Sequence, residues 1–307
     1  MDTKKGALQI SFGWLFAIIV GMFIIFLAIY GVIKLMNTEQ TTLDVKTGKQ
    51  IGVLLNPLET SFESAKTSSF TLPAESRIYN GCNDEGNFGK QLISISQKSF
   101  NKWTETNLNA SFTNKYIFSK RIVEGKKFYI FSKPFDFPFK VSDLIYMTSS
   151  EEVYCFPDAW GDIEEELSNL NQENLLLENC TEEMIYVCFG GNCDINVNYQ
   201  DGTVEKDGEI MYFSSDALMY AAIFSDVAVY ECQLKRLMKR VGELSLLYGD
   251  KSILIGNAGC DLEIKTDLAE LIVLAGNLDE SQDILGLTTN VENLNEKNDA
   301  GGDCKLW

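Results

Sequence analysis

From Ile10 to Ile33 the chain runs 24 residues without a charge, and nearly all of them are large and apolar. At about 1.5 Å of rise per residue, such a helix spans the roughly 30 Å hydrocarbon core of a bilayer. A cleavable secretory leader has a shorter apolar core, about 7–15 residues, followed by a small-residue cleavage site. Tyr30-Gly31-Val32-Ile33-Lys34 offers no such site. The run therefore predicts a retained transmembrane helix over 10–33, with the bulk of the protein on one side of a membrane.

Basic residues and a glycine precede the run, in Lys4-Lys5-Gly6-Ala7-Leu8-Gln9-Ile10-Ser11-Phe12. This segment resembles the class III signal peptides of archaeal type IV pilin-like proteins, over about residues 3–35. The resemblance implies that a prepilin peptidase cuts between Gly6 and Ala7 and that the helix is kept for anchoring or assembly. Gln9 and Ser11 keep the family's spacing, while Gly13 stands where the family often carries Glu. A plain membrane anchor with lysines on its inner flank is the alternative. Gly13, Ala17 and Gly21 recur every four residues. Such a small-residue stripe lets helices approach closely in lipid. The expected partners are the bilayer and a second helix or further copies of the chain.

The formal net charge is −18; residues 1–37 carry +2, so the body carries −20. Phosphate backbones call for a basic surface, which argues against nucleic acid as a general partner. There is no histidine. That removes imidazole bases, Ser-His-Asp and Cys-His nucleophile systems, and His-ligated zinc. All eight cysteines, Cys82, Cys155, Cys180, Cys188, Cys193, Cys232, Cys260 and Cys304, lie in the body. An even number on one side of a membrane predicts disulfides in an oxidising space. Lys4 and Lys5 before the helix, against Lys34 alone closely after it, place the N-terminus in the cytoplasm and the body outside. Two sequons, Asn109-Ala110-Ser111 and Asn179-Cys180-Thr181, agree with an external surface.

Along the body, Leu43, Ile51, Leu54, Leu55, Leu58 and Phe62 are spaced mostly by three or four, which predicts a helical stalk over 34–66, kinked or restarted at Pro57. From 67 to 213 the signal is mainly strand. Runs such as Gln91–Ser96, Phe128–Phe131 and Leu144–Thr148 are short and rich in aromatic and β-branched residues. Asp194–Tyr199, Thr203–Lys206 and Glu209–Phe213, joined by Asp201-Gly202 and Asp207-Gly208, read as a three-stranded meander. One acidic helix is expected over Asp162–Leu177, its Glu164-Glu165-Glu166 run a solvated face. A long helix is expected over Ser215–Tyr248. Ile223, Val227, Tyr230, Leu234, Leu237, Val241, Leu244 and Tyr248 form a heptad seam along it. That seam suits either a coiled-coil partner or a helix of the same chain around Thr266–Leu278; Lys235, Arg236, Lys239 and Arg240 are expected to face away. Residues 286–307 are polar and acidic and read as a flexible tail, with Cys304 placed to pin it, Cys260 being one candidate partner.

Three further sites merit weighing. Cys188 and Cys193 are close enough for a metal knuckle, but an external domain favours a disulfide. Asn83–Asn87 is an oxygen-rich turn without EF-hand spacing. Residues 115–140 carry a local +5. There Lys120, Arg121, Lys126 and Lys127 accompany Phe135, Phe137 and Phe139, whose alternation puts three rings on one face of an extended strand. Pro134 and Pro138 suggest an edge. This stretch is either a contact surface or a set of core rings flanked by solvated lysines. No nucleotide loop, cofactor motif or catalytic constellation is present.

These readings combine into an α+β protein. Segments 1–9, 10–33, 34–66, 67–213, 214–285 and 286–307 are cytoplasmic tip, membrane helix, stalk, β-rich domain, helical segment and tail. The function expected is non-enzymatic: a pilin-like surface or envelope protein acting in assembly or adhesion. A single-pass adaptor using the seam or the basic patch is the alternative, and a hydrolase using carboxylates or Ser/Lys the third.

Overall fold

The computed structural model describes residues 13–32, 34, 66–99, 102–103, 110–260 and 262–307. The proposed cut at Gly6 and Ala7 and nearly all of the expected stalk lie outside them. Helix α1, Gly13–Val32, is the one described helix long and apolar enough to cross a membrane, and none of it is buried against the rest of the chain. Gly13, Ala17 and Gly21 lie along it, and no atom of the chain stands where a Cβ on either glycine would reach.

The body is α+β. Its larger sheet contains β1 (Lys66–Asn83), β2 (Lys90–Ser99), β3 (Lys102–Trp103), β4 (Ala110–Phe112), β5 (Ile117–Phe118), β6 (Ile122–Asp136) and β7 (Lys140–Ser149). The strand order is β3-β2-β1-β6-β7-β5, with β4 paired to β2, and only the β5–β7 pair is parallel. Period-two alternation buries both faces. Along β7, Ile145 and Met147 enter a smaller core, whereas Leu144 and Tyr146 enter the main one. The smaller core is built wholly from this sheet. Side-chain bonds from Asn80 and Gln91 to the Ile117 backbone tie β5 back to the β1–β2 hairpin, so the sheet curls round its own apolar face.

The second sheet holds β8 (Tyr154–Cys155), β9 (Leu175–Leu176), β10 (Ile185–Phe189), β11 (Ile195–Asn198), β12 (Thr203–Lys206) and β13 (Glu209–Tyr212), in the order β13-β12-β11-β10-β8-β9. Helix α2 (Gly161–Leu170) is shorter than expected: Asn171 adopts the left-handed conformation that ends it, and the chain continues into β9. Helices α3 (Asp216–Phe224), α4 (Val227–Gly256), α5 (Lys265–Gly276) and α6 (Ile284–Ala300) complete the body. The main core combines Phe118, Phe131 and Tyr146 of the first sheet with Val187, Val197 and Val204 of the second and with the helices.

Three expectations are corrected here. The helix expected over Ser215–Tyr248 is broken at Ser225, which is extended. Asp226 accepts a bond from the Arg121 backbone N–H at 2.7 Å, and the buried Lys206 donates to the carbonyls of Ile223 (3.2 Å) and Ser225, closing the end of α3. The seam is used internally: Tyr230, Leu234, Leu237 and Val241 are fully buried, and α4 packs on α5 and the first sheet. Arg236, expected to face away, is fully buried as well. The tail is folded. Ile284, Leu287, Val291 and Leu294 of α6 are buried at helical spacing. Trp307 packs against Phe139 and Tyr248, and Cys304 bonds Cys260.

Burial pushes the Lys206 ammonium down from 10.5 to about 8, with Asp226 opposing the shift and Lys120 adding to it. Between those values the unfolded chain binds the proton that the folded chain releases, so this group's contribution to stability rises with pH. Buried tyrosines act in the opposite sense, since burial raises Tyr230 and Tyr154 above their ordinary range. Comparing the protein with Lys206→Met cancels them. Between pH 8 and 9.5 the parent gains about 1.5 kcal/mol relative to that variant in denaturant unfolding; parallel pH profiles would contradict the assignment.

Candidate functional site

The basic, aromatic stretch resolves into core and surface. Phe135, Phe137 and Phe139 are buried in the main core. The lysines meet acids brought in by the fold: Lys120 with Glu152 at 2.6 Å, Lys127 with Glu173 at 2.7 Å, Lys133 with Glu166 at 2.6 Å and Lys140 with Asp143 at 3.0 Å. Lys126 and the Arg121 side chain are exposed. The local positive charge is thus largely neutralised, and the rings are unavailable as a contact surface. Pro134 sits where β6 pairs only with β7 among the described residues, because β1 pairing begins at Ser132.

The cysteines form four disulfides, Cys82–Cys232, Cys155–Cys180, Cys188–Cys193 and Cys260–Cys304, and none is free. With α1, they fit a membrane-anchored or secreted protein whose body lies in an oxidising space.

The first bridge adjoins a buried polar relay. Arg236 donates to the carbonyls of Phe88 (3.1 Å), Thr113 (3.2 Å) and Lys115 (3.0 Å) and to Gln233 Oε1 (2.6 Å). Its guanidinium also lies 4.6 Å from the Tyr116 ring centroid. Gln233 passes a bond to Gln91, and Gln91 to Asn80. No carboxylate faces the guanidinium in this set, and burial lowers it to about 10. Gly89 makes room: its φ is +56°, and a Cβ would come within 2.8 Å of Arg236 Cγ. The relay fastens α4 to β1, β2 and β5; it is sealed from solvent and structural.

An open cleft lies instead on the outer side of the second sheet, with a volume of about 770 Å³. The residue before α2 supplies Trp160, and the turn after β11 supplies Tyr199; they are 47% and 46% exposed, large rings left facing water. They meet edge to face at 5.9 Å, and Trp160 meets Phe189 at 4.9 Å. The Tyr199 hydroxyl donates to Asp216 at 2.7 Å, which fixes the ring and pushes its phenol up to about 12.

The loops around the rings are held by the chain. The Cys188–Cys193 bridge closes the Gly190-Gly191-Asn192 loop, and Asn196 Oδ1 accepts from the Cys193 N–H at 2.8 Å. Asn198 Oδ1 accepts the N–H groups of Gln200 and Asp201, each at 3.1 Å. Gly202 has φ +63°, and a Cβ there would lie 2.6 Å from the Phe213 carbonyl oxygen. By contrast, Asn192, Gln200 and Glu205 line the cleft with no side-chain partner among the described residues. Sequence reasoning missed this site, since its parts come from three segments; the lone Trp160 in Asp158-Ala159-Trp160-Gly161-Asp162 was the available signal. Compared with family models, curated proteins and solved structures, the chain matches none.

Proposed function

We propose that the chain is a non-enzymatic, pilin-like surface or envelope protein, held in the membrane by α1 with its body outside, and acting in surface assembly or adhesion. The observation that carries this reading is the pairing of a fully exposed apolar helix with a body closed by four disulfides. The glycine-bearing face of α1 supports self-association within the bilayer, because small residues let helices pack closely there. The adaptor reading based on the heptad seam is set aside, as that seam is spent on the core of the body.

Intact-mass measurement of the protein extracted from its native membranes tests this reading. Loss of residues 1–6, leaving Ala7 first, is the expected result. A chain that retains Met1–Gly6 would remove the prepilin-peptidase reading.

A further inference from the structure

We propose that the cleft bearing Trp160 and Tyr199 binds a neutral saccharide. The inference goes beyond the reading above and is independent of how α1 is processed.

Ligand chemistry follows from what the cleft offers and lacks. Its exposed large apolar side chains are rings, and its unpartnered polar side chains among the described residues are two amides, one hydroxyl and one carboxylate: Asn192, Gln200, Thr203 and Glu205. Amides both donate and accept, and a carboxylate accepts, which suits hydroxyl groups. The C–H faces of a sugar ring pack on aromatic faces while its hydroxyls reach the surrounding amides. A ligand pocket combining aromatic surface with a few convergent polar groups fits general experience of binding sites.

Three other ligand classes fit less well. No Lys or Arg lines the cleft, and Glu205 is its one charged residue, so phosphates and acidic sugars meet no counter-charge. A caged cation requires space between rings. Here Trp160 touches Phe189 and Tyr199 edge to face, at centroid distances of 4.9 and 5.9 Å, leaving no gap for one. A peptide bound by strand addition would use a free strand edge. The strands beneath the cleft have none: β11 pairs with β10 and β12, and β12 also pairs with β13. Pinning by the Cys188–Cys193 bridge and by the Tyr199–Asp216 bond means that little ordering is needed on binding.

The test is calorimetry on the full chain in a detergent without a sugar headgroup. The probes are neutral hexasaccharides of glucose, mannose and N-acetylglucosamine, with a hexauronate and an unstructured hexapeptide as comparisons. At least one neutral hexasaccharide is expected to bind, more tightly than the hexauronate or the peptide. Trp160→Ala and Tyr199→Ala should each weaken binding tenfold or more, and Trp160→Phe should keep most of it. Asn192→Ala with Gln200→Ala removes only exposed side chains that make no hydrogen bond among the described residues, so this variant is expected to fold; it too should lose tenfold. Absence of binding to every neutral sugar would overturn the proposal. So would preference for the hexauronate or peptide, or affinity unchanged in the Asn192/Gln200 variant.

Discussion

Replacing Arg236 by alanine lowers the stability of the body by about 3–5 kcal/mol. Two losses combine. The long side chain leaves a cavity between α4 and the first sheet, and the carbonyls of Phe88, Thr113 and Lys115 lose their donor inside the protein. Gln233 loses its charged neighbour, and the relay through Gln91 to Asn80 loses its anchor. Arg236→Lys recovers only part of the loss, because an ammonium cannot address acceptors on several sides with the planar fork of a guanidinium. Denaturant unfolding of both variants checks this. For a body of this size the alanine variant melts on the order of 10 °C lower. A change below about 1 kcal/mol would mean that the buried guanidinium is neutral or dispensable.

Removing the Cys82–Cys232 bridge, by Cys82→Ala with Cys232→Ala, is the second large effect. The bridge spans a sequence separation of 150 residues, against 5 for Cys188–Cys193. Chain entropy assigns the long loop up to about 5 kcal/mol and the short one about 2 kcal/mol. The long bridge also fastens α4 to β1 beside the Arg236 relay, so its loss and that of Arg236 should not add independently. Unfolding curves for this variant and for Cys188→Ala with Cys193→Ala should differ in midpoint, with the Cys82/Cys232 variant the less stable. Equal midpoints would contradict the loop-closure account.

Elements with local punctuation were legible in the sequence. The meander of β11, β12 and β13 appears where two Asp-Gly pairs mark its turns, and Gly202, Asp207 and Gly208 all take positive φ there. Other elements were hidden for identifiable reasons. Ser69–Leu72 and Arg77–Tyr79 read in the sequence as two separate short β-rich runs, yet they belong to one strand, β1, carried through a register shift between Thr71 and Ser76. The heptad pattern runs straight across the α3–α4 break, because α3 is buried on every side and its Ile223 falls in step with Val227 and Tyr230. Ser225-Asp226 before Val227 was the start signal that periodicity concealed. In α6 the abundance of Asn, Asp and Glu masked an apolar stripe of four residues. Tertiary pairing decided the rest. The lysines near 120–140 looked like a basic patch until Glu152, Glu166 and Glu173 were brought beside them. The cleft needed rings from residues 160 and 199, which no local window joins.

The central claim is that a lipid-embedded helix carries a fully oxidised body. The most direct test treats carbonate-washed membranes from native cells with a polymer-tagged maleimide before and after reduction, and follows the full-length band. The account predicts that the protein stays in the membrane pellet, takes no tag before reduction and takes eight after it. Recovery in the supernatant, or a band already carrying eight tags before reductant is added, would contradict it.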